Sequence, residues 1–284
     1  TWGTIKKLTM NSSLVDTPQI AVNGKSVHII WKDFRTGYPE IFYKKSDDNG
    51  DTWTSDQQLT FNHSRSFDIY DLKLVTYHDT VHIVWKDYRH GSSEIYYKNS
   101  DDNGDSWEPD QRLTHDYTPS YSPCIALDQH TVYITWDNWG ETTEIWFKRS
   151  DDNGKTWSNI TILSSEEPAK NSWITSDKVI IHVVWQEDHN GTWDIYYKNS
   201  GDEGRTWSYE QRLTFHAYDC FSPKILSAAD TVYVFWQEIR KDNCVFVERH
   251  SSDNGMNWSE EVFLTDVNTS AYELSSASSG HTQF

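Results

Sequence analysis

The stretch Ser46-Asp47-Asp48-Asn49-Gly50-Asp51-Thr52-Trp53 recurs four more times in the chain. The copies are Ser100 to Trp107 (SDDNGDSW), Ser150 to Trp157 (SDDNGKTW), Ser200 to Trp207 (SGDEGRTW) and Ser251 to Trp258 (SSDNGMNW). Copies starting at 46, 100, 150, 200 and 251 set a period of about fifty residues, the mark of a solenoid, propeller or array. Ser and Asp oxygens accept backbone N–H bonds and close a turn. The glycine supplies a backbone angle that a side chain resists. Thr or Ser then opens a new strand, and the Trp returns to bury a large apolar surface. A calcium loop also alternates oxygen ligands as DDNGD does, but the twelve-residue spacing and closing Glu of an EF-hand are missing. Each copy therefore reads as a hairpin turn with its own anchor.

The pattern S-x-D-x-G-x-T-W resembles the Asp box of the sialidase or BNR-repeat superfamily. Asp48, Asp102, Asp152, Asp202 and Asp253 take the boxed position, as structural residues. The departures are Gly201 and Glu203 in the fourth copy, Met256 and Asn257 in the fifth. The resemblance covers nearly the whole chain. It implies a β-propeller, six-bladed in sialidases, with the boxes on turns remote from the ligand face.

Between boxes each repeat reads as four strands, a to d. In the second repeat, strand a is about Leu72 to Thr76, b is the alternating run Val81 to Trp85, c is Glu94 to Lys98, and d runs from Trp107 to Leu113-Thr114. Five whole units result, about 17–60, 70–114, 122–163, 171–214 and 222–265. Residues 1–9, TWGTIKKLT, read as a lone strand d, and residues 270–284 as strand a and the start of b. An open array leaves two sheet edges prone to aggregation. The expectation is one domain over 1–284: an all-β, six-bladed β-propeller of four-stranded antiparallel blades. Its sixth blade is closed by the N-terminal strand plus the C-terminal strands. Because the chain opens at Thr1-Trp2, in mid-repeat, upstream sequence is also expected.

Composition agrees with sheets. Hydrophobic content is 36%, yet aromatics reach 15% with 15 Trp, so rings and β-branched residues build the core. No helical periodicity, membrane span or signal peptide is legible. A net charge of −18 disfavours nucleic acid, which needs a basic stripe, and membrane insertion or anionic lipid. It favours a soluble monomer. Cys220 and Cys244 are placed to pair within one repeat, leaving Cys124 buried on a strand. Six N-x-S/T sequons, at Asn11, Asn62, Asn159, Asn190, Asn257 and Asn268, permit a glycoprotein at an extracellular or cell-surface location.

Copies that agree serve the scaffold, so function is sought where they differ. Strands alternate in direction, so the b–c and d–a loops emerge opposite the boxes. Two residues beyond each strand-b Trp stand Asp33, Asp87, Asn138, Glu187 and Glu238; four beyond stand Arg35, Arg89, Gly140, His189 and Arg240. One reading pairs each acid with its own Arg and pins the loop. The other is an anion pocket, since Arg forks bind carboxylates bidentately. Sialidases hold a sugar carboxylate with three arginines, though not at equivalent repeat positions. The longest d–a link, Thr60 to Leu74, carries His63, Arg65, Asp68, Tyr70 and Asp71, and extra loop length favours function. The resemblance implies an acid Asp near here, making Asp68 and Asp71 catalytic candidates. Tyr117, Tyr121, Trp173, Tyr218, Phe221 and Tyr272 come from the other d–a loops and suit stacking on sugars. A glycosidase needs two carboxylates, or a Tyr activated by a Glu. Asp68, Glu187, Glu238 and the Tyr272-Glu273 pair supply those types.

One departure weighs against catalysis. Sialidases carry an early Arg in an F/Y-R-I-P type motif, and residues 14–20, LVDTPQI, hold none. His28, His82 and His182 recur on strand b beside Val or Ile and read as strand-face residues, not metal ligands. No metal or cofactor is expected. The leading expectation is an extracellular propeller that binds a glycan or a surface protein without catalysis. A sialidase-like glycoside hydrolase and a structural segment of a large surface protein are the alternatives.

Overall fold

In the computed structural model, residues 4–9, 14–61, 69–228, 230–240 and 243–265 are described. They form five four-stranded antiparallel sheets with simple a-b-c-d order, and no helix. The first is β1 (Val15–Asn23), β2 (Ser26–Asp33), β3 (Glu40–Ser46) and β4 (Gln57–Gln58). The second is β5 (Ile69–Tyr77), β6 (Thr80–Asp87), β7 (Glu94–Ser100) and β8 (Gln111–Arg112). The third is β9 (Ser120–Asp128), β10 (Thr131–Trp139), β11 (Thr143–Ser150) and β12 (Thr161–Ile162). The fourth is β13 (Ala169–Asp177), β14 (Ile180–His189), β15 (Thr192–Ser200) and β16 (Gln211–Arg212). The fifth is β17 (Cys220–Ala228), β18 (Thr231–Arg240), β19 (Asn243–Ser251) and β20 (Val262–Phe263). Strand d is far shorter than expected: after the box Trp the chain crosses to the outer edge and pairs for two residues only. Among the described residues no helix is long and apolar enough to cross a membrane.

The sheets pack face to face in chain order, with the a strands side by side: β1 on β5, β5 on β9, β9 on β13, β13 on β17. Four cores fill the gaps between neighbouring sheets. The first joins Ile30, Ile41, Tyr43 and Leu59 to Leu74, Val81, Ile83 and Trp85. The strand-b Trp of sheets 2 to 5 (Trp85, Trp136, Trp185, Trp236) is fully buried. Alternation explains this: one face of each strand packs on the preceding sheet and the other on the following one.

The box does two jobs. Ser46 Oγ donates to Asp48 Oδ1 at 2.7 Å and accepts from Gly50 N at 2.8 Å, while Asp48 receives Thr52 N and Thr52 Oγ1 at 2.8 and 2.6 Å. These donors hold the Asp48 carboxyl near pKa 2, below the usual carboxylate range. In the fifth copy Asn257 replaces the hydroxyl, and its Nδ2 donates to Asp253 Oδ2 at 2.7 Å, so that departure keeps the bond. The second job is between sheets. Tyr43, Tyr97, Phe147 and Tyr197 of strand c reach under the box glycine of the next sheet and meet its Trp edge-on, with centroids 4.9–5.0 Å apart. His28, His82 and His182 lie fully buried behind the three tyrosines, each Nδ1 2.6–2.8 Å from the phenol oxygen. The third sheet keeps the stack with other rings, Tyr133 and Phe147.

Two expectations about the chain's ends and cysteines change. Cys220 and Cys244 are unbonded. They lie on β17 and β19, on opposite sides of β18, opposite Glu238 and Ile239. Two strand spacings separate them, about 9–10 Å, beyond the roughly 7 Å that a disulfide spans. Cys124 is buried on β9. Residues 4–9 form no strand, but they rest against the first sheet as a strand d rests against the next. Lys44 Nζ donates to Leu8 O at 3.0 Å, as Lys148 does to Leu113 O and Lys198 to Leu163 O. Lys6 Nζ donates to Gly50 O at 2.9 Å, as Gln111 does to Gly154 O and Gln211 to Gly255 O. Residues 270–284 lie outside the described residues.

Candidate functional site

Strand a carries the same defect in all five sheets. A β-bulge near its upper end, the end opposite the boxes, shifts the register between Asp16 and Gln19, and likewise in β5, β9, β13 and β17. At each bulge one non-glycine residue adopts positive φ: Thr17 (48°), Asp71 (55°), Ser122 (51°), Asn171 (58°) and Ser222 (51°). Such a conformation costs on the order of 1 kcal/mol and clusters where backbone is bent for a purpose. Here the bulge turns short polar side chains toward the line along which the a strands meet. Its freed N–H groups are taken by strand b of the preceding sheet: Asn171 N donates to Asp137 Oδ2 and Ser222 N to Gln186 Oε1, both at 3.0 Å.

The bulges of sheets 2 to 5 border a cavity of about 160 Å³, lined by Asp71, Lys73, Ser122, Asn171, Trp173, Ser222 and Lys224 among others. Two residues past each bulge the copies disagree: Gln19, Lys73, Cys124, Trp173 and Lys224. Trp173 stands between the two lysines, with Lys73 Nζ 5.0 Å and Lys224 Nζ 3.4 Å from its ring centroid. Among the described residues neither lysine has a carboxylate partner. Burial, and after it the Lys73 charge, lower the Lys224 ammonium to a pKa of about 8, against the opposing pull of Cys124. In a chain of net charge −18, this is a cationic patch where the a strands meet.

Around the mouth lie aromatic rings. Lys86 Nζ bonds Asp71 at 2.9 Å and sits 4.7–5.9 Å from the rings of Tyr70, Tyr88 and Tyr121. Tyr121 leans on Trp139 at 4.9 Å, and Trp193 stacks under Lys170 at 4.1 Å. Behind the wall, Asp137 is fully enclosed, and burial raises its carboxyl to a pKa of about 7, against the pull of the Asn171 and Ser172 N–H bonds.

Of the candidates read from sequence, Asp71, Tyr70, Tyr121 and Trp173 come together here. Phe221 lies beside them on β17, opposite Gln237. The three arginines do not converge. Arg35 binds Asp33 and reaches outward to Asp56 at 2.8 Å; Arg89 binds Asp87 and Asp110 in the same way, and Arg240 binds Glu238. Asp33 and Asp87 also accept their own Trp31 and Trp85 indoles at 3.0 and 3.1 Å. Each acid points across its own sheet toward the outer edge, because it shares a face with the strand-b Trp two residues earlier. Glu187 is buried on Trp185 and Ser165, with a raised pKa caused first by burial. Arg65, Asp68 and Tyr272 lie outside the described residues. Lys73, Lys86, Asn171 and Lys224 were missed by reading loops alone. Laying the five a strands side by side finds Lys73 and Lys224, because the Gln-Lys-Cys-Trp-Lys column is where the repeat stops repeating.

The BNR repeat-like domain family matches residues 89–283. No curated protein sequence is significantly similar to the chain. Several solved structures share the fold. An endosialidase of phage phi92 has a TM-score of 0.55 at 10% identity, covering 82% of this chain and 54% of its own. An ulvan lyase of polysaccharide lyase family PL25, bound to a glucuronate–sulfated rhamnose unit, has a TM-score of 0.60 at 11% identity, covering 93% and 72%. NanB with optactamide has a TM-score of 0.57 at 13% identity, covering 88% and 61%. The chain thus spans about half the length of the endosialidase.

Proposed function

The chain belongs to the BNR repeat-like domain family, and from that premise we propose that it binds an acidic glycan at the upper mouth of its axis, without catalysing a reaction. One observation carries this reading: Lys73 and Lys224 flank Trp173 with no carboxylate opposite them among the described residues. A sugar carboxylate or sulfate supplies the missing counter-charge, and the rim of Tyr70, Tyr121 and Trp139 offers faces for pyranose rings. The glycan-directed names of the endosialidase and the ulvan lyase support the ligand class. Against turnover stands the scarcity of acids: among the described residues the cavity wall holds one carboxylate, Asp71, already bonded to Lys86. A glycosidase uses two. The favoured location is extracellular, as for a protein meeting polysaccharide.

The same reading includes a sixth blade. Leu264 is 47% exposed, whereas its equivalents Leu59, Leu113, Leu163 and Leu213 are 1–3% exposed under the next sheet. Ile20 is 64% exposed, whereas Leu74, Ile125, Ile174 and Ile225 are covered by the preceding one. One blade between the fifth sheet and the first would cover both, with residues 4–9 as its outer strand.

Titration of the protein with sialylated, uronate-bearing and sulfated oligosaccharides at low salt tests the ligand class. The Lys73→Gln/Lys224→Gln double variant is expected to weaken binding about 10–100-fold, the worth of one or two charge-assisted bonds. Neutral oligosaccharides bound as tightly as acidic ones would sink the proposal. A second reading, an acidic-polysaccharide lyase or hydrolase, is favoured by the near-neutral pKa of Lys224, which suits proton transfer. Release of new reducing ends or of unsaturated uronate, abolished in Lys224→Gln, would replace binding with catalysis.

A further inference from the structure

We propose that the fifth sheet holds a zinc ion between His216, Cys220 and Glu238, at its upper edge and away from the axial mouth. The three come from different elements: His216 from the d–a connection, Cys220 from the first position of β17, and Glu238 from the end of β18, directly opposite Cys220. Their ligand atoms all lie within 4.8 Å of one another. His216 Nε2 stands 3.3 Å from Glu238 Oε2. Two ligands bound to one tetrahedral zinc at the usual distances are about 3.3–3.5 Å apart, so this pair already has the required separation. The thiol needs to close by little more than about 1 Å at most. Glu261 Oε1, 3.4 Å from the same His216 nitrogen, is in reach as a fourth ligand.

A second observation points to a missing cation. Glu238 is fully buried, and its Oε2 meets only the His216 ring as an ion pair; His216 Nε2 meets only Glu238 and Glu261, and its buried Nδ1 has no hydrogen-bond partner. The approach at 3.3 Å is close but misaligned for a hydrogen bond. A buried carboxylate and imidazole held only by this imperfectly aligned pairing are served better by a metal, which takes a lone pair from each at once. The other sheets show what Glu238 has given up. In the first, second and fourth, the equivalent acid accepts the strand-b indole, as Glu187 does from Trp185 at 2.9 Å. In the fifth, Trp236 Nε1 is unbonded, and Glu238 turns toward His216 and Cys220. Cys220 itself replaces Val15, Ile69, Ser120 and Ala169. Thiol, imidazole and carboxylate therefore meet in one sheet of five.

The donor set selects the ion. Thiolate, imidazole and carboxylate together suit zinc, whereas calcium and magnesium take oxygen alone. Arg240 on Glu238 Oε1 fixes the carboxylate from behind, as a partner of a metal ligand does. Binding removes the thiol proton to solvent, so affinity rises with pH.

The purified chain, stripped with chelator, incubated with zinc and dialysed, is expected to retain one zinc per chain by elemental analysis. Cobalt in its place is expected to show a thiolate-to-metal charge-transfer band. Cys220→Ser, nearly isosteric, should remove that band and weaken zinc by more than the roughly 10–100-fold that follows loss of a group behind a ligand. Glu238→Gln should weaken zinc too, while Cys244→Ser, on β19, should leave it unchanged. An unbound wild type, or equal binding by Cys220→Ser with its melting transition intact, overturns the site and leaves an imidazolium–carboxylate pair. Should Cys220→Ser not fold, the cobalt spectrum of the wild type decides alone: the absence of a thiolate band overturns the site.

Discussion

Gly154→Ala is expected to destabilise the protein by about 3 kcal/mol or more, although it adds one methyl group to a surface turn. Two costs combine. Gly154 has φ +87°, where an L residue is strained by about 1–2 kcal/mol. An added Cβ would also lie 2.0 Å from the Tyr97 hydroxyl oxygen and 2.4 Å from its Cζ, so the ring of the preceding sheet must leave its seat. Displacing a packed ring costs roughly 1–3 kcal/mol further. Gly24→Ala is the control, because Gly24 has φ +59° and nothing within 4 Å of its added Cβ. It should cost only the strain, about 1–2 kcal/mol. For a chain of this size the gap between the two variants corresponds to a melting difference of several degrees, about 2–4 °C per kcal/mol. Equal melting temperatures would mean that the box glycine serves its turn and nothing beyond it.

Asp137→Asn is expected to stabilise the protein at pH 8 relative to its effect at pH 4. The enclosed carboxyl has a pKa of about 7 in the folded chain against 3.8 when exposed. A raised acid pKa means that the folded state keeps a proton the unfolded state releases. Its favourable contribution is complete below about pH 3.8 and is lost as the pH rises to about 7. Three pKa units correspond to about 4 kcal/mol, so the stability difference between variant and wild type should widen by that order across the window and then level off. Chemical denaturation at intervals from pH 4 to 8 follows it directly. A difference that stays flat with pH would show that Asp137 ionises normally and that its N–H partners outweigh burial.

The architecture was legible because the scaffold is written in copies. The box gave the turn, its spacing gave the period, and alternation around Trp31, Trp85, Trp136, Trp185 and Trp236 gave strand b. Strand d was overdrawn because residues from Trp107 to Leu113 satisfy a strand pattern while the ladder with strand c takes in Gln111 and Arg112 alone, with single backbone bonds from Glu108 and Leu113 on either side. The axial site was half legible. Asp71 and Trp173 stand out by type, but Lys73 and Lys224 are ordinary letters until the bulges bring four strands to one cavity. No periodicity announces a bulge, since Thr17, Asp71, Ser122, Asn171 and Ser222 share only small size and polarity. The arginines misled in the opposite sense: conspicuous in sequence, they are drawn outward by Asp56 and Asp110, which stand 21 residues further along the chain. The proposed zinc site is illegible in sequence because His216, Cys220 and Glu238 hold different places in the repeat and meet only when β17 pairs with β18.

The seat that each box glycine offers to the ring of the preceding sheet has an evolutionary side. Each of the first four units carries a tongue, such as Tyr97, that seats in the groove of the next, such as Gly154, so a gene segment copied in frame from the middle of the array brings both halves of its own joint. Arrays built this way can gain or lose a sheet by unequal crossing-over without inventing new joinery. Only the two outermost units must fit a foreign neighbour, and the fifth already departs, with Glu248 where the tongue would be. The joints between neighbouring sheets are thereby carried by the copied part of the sequence, and change is left to the positions where the copies differ.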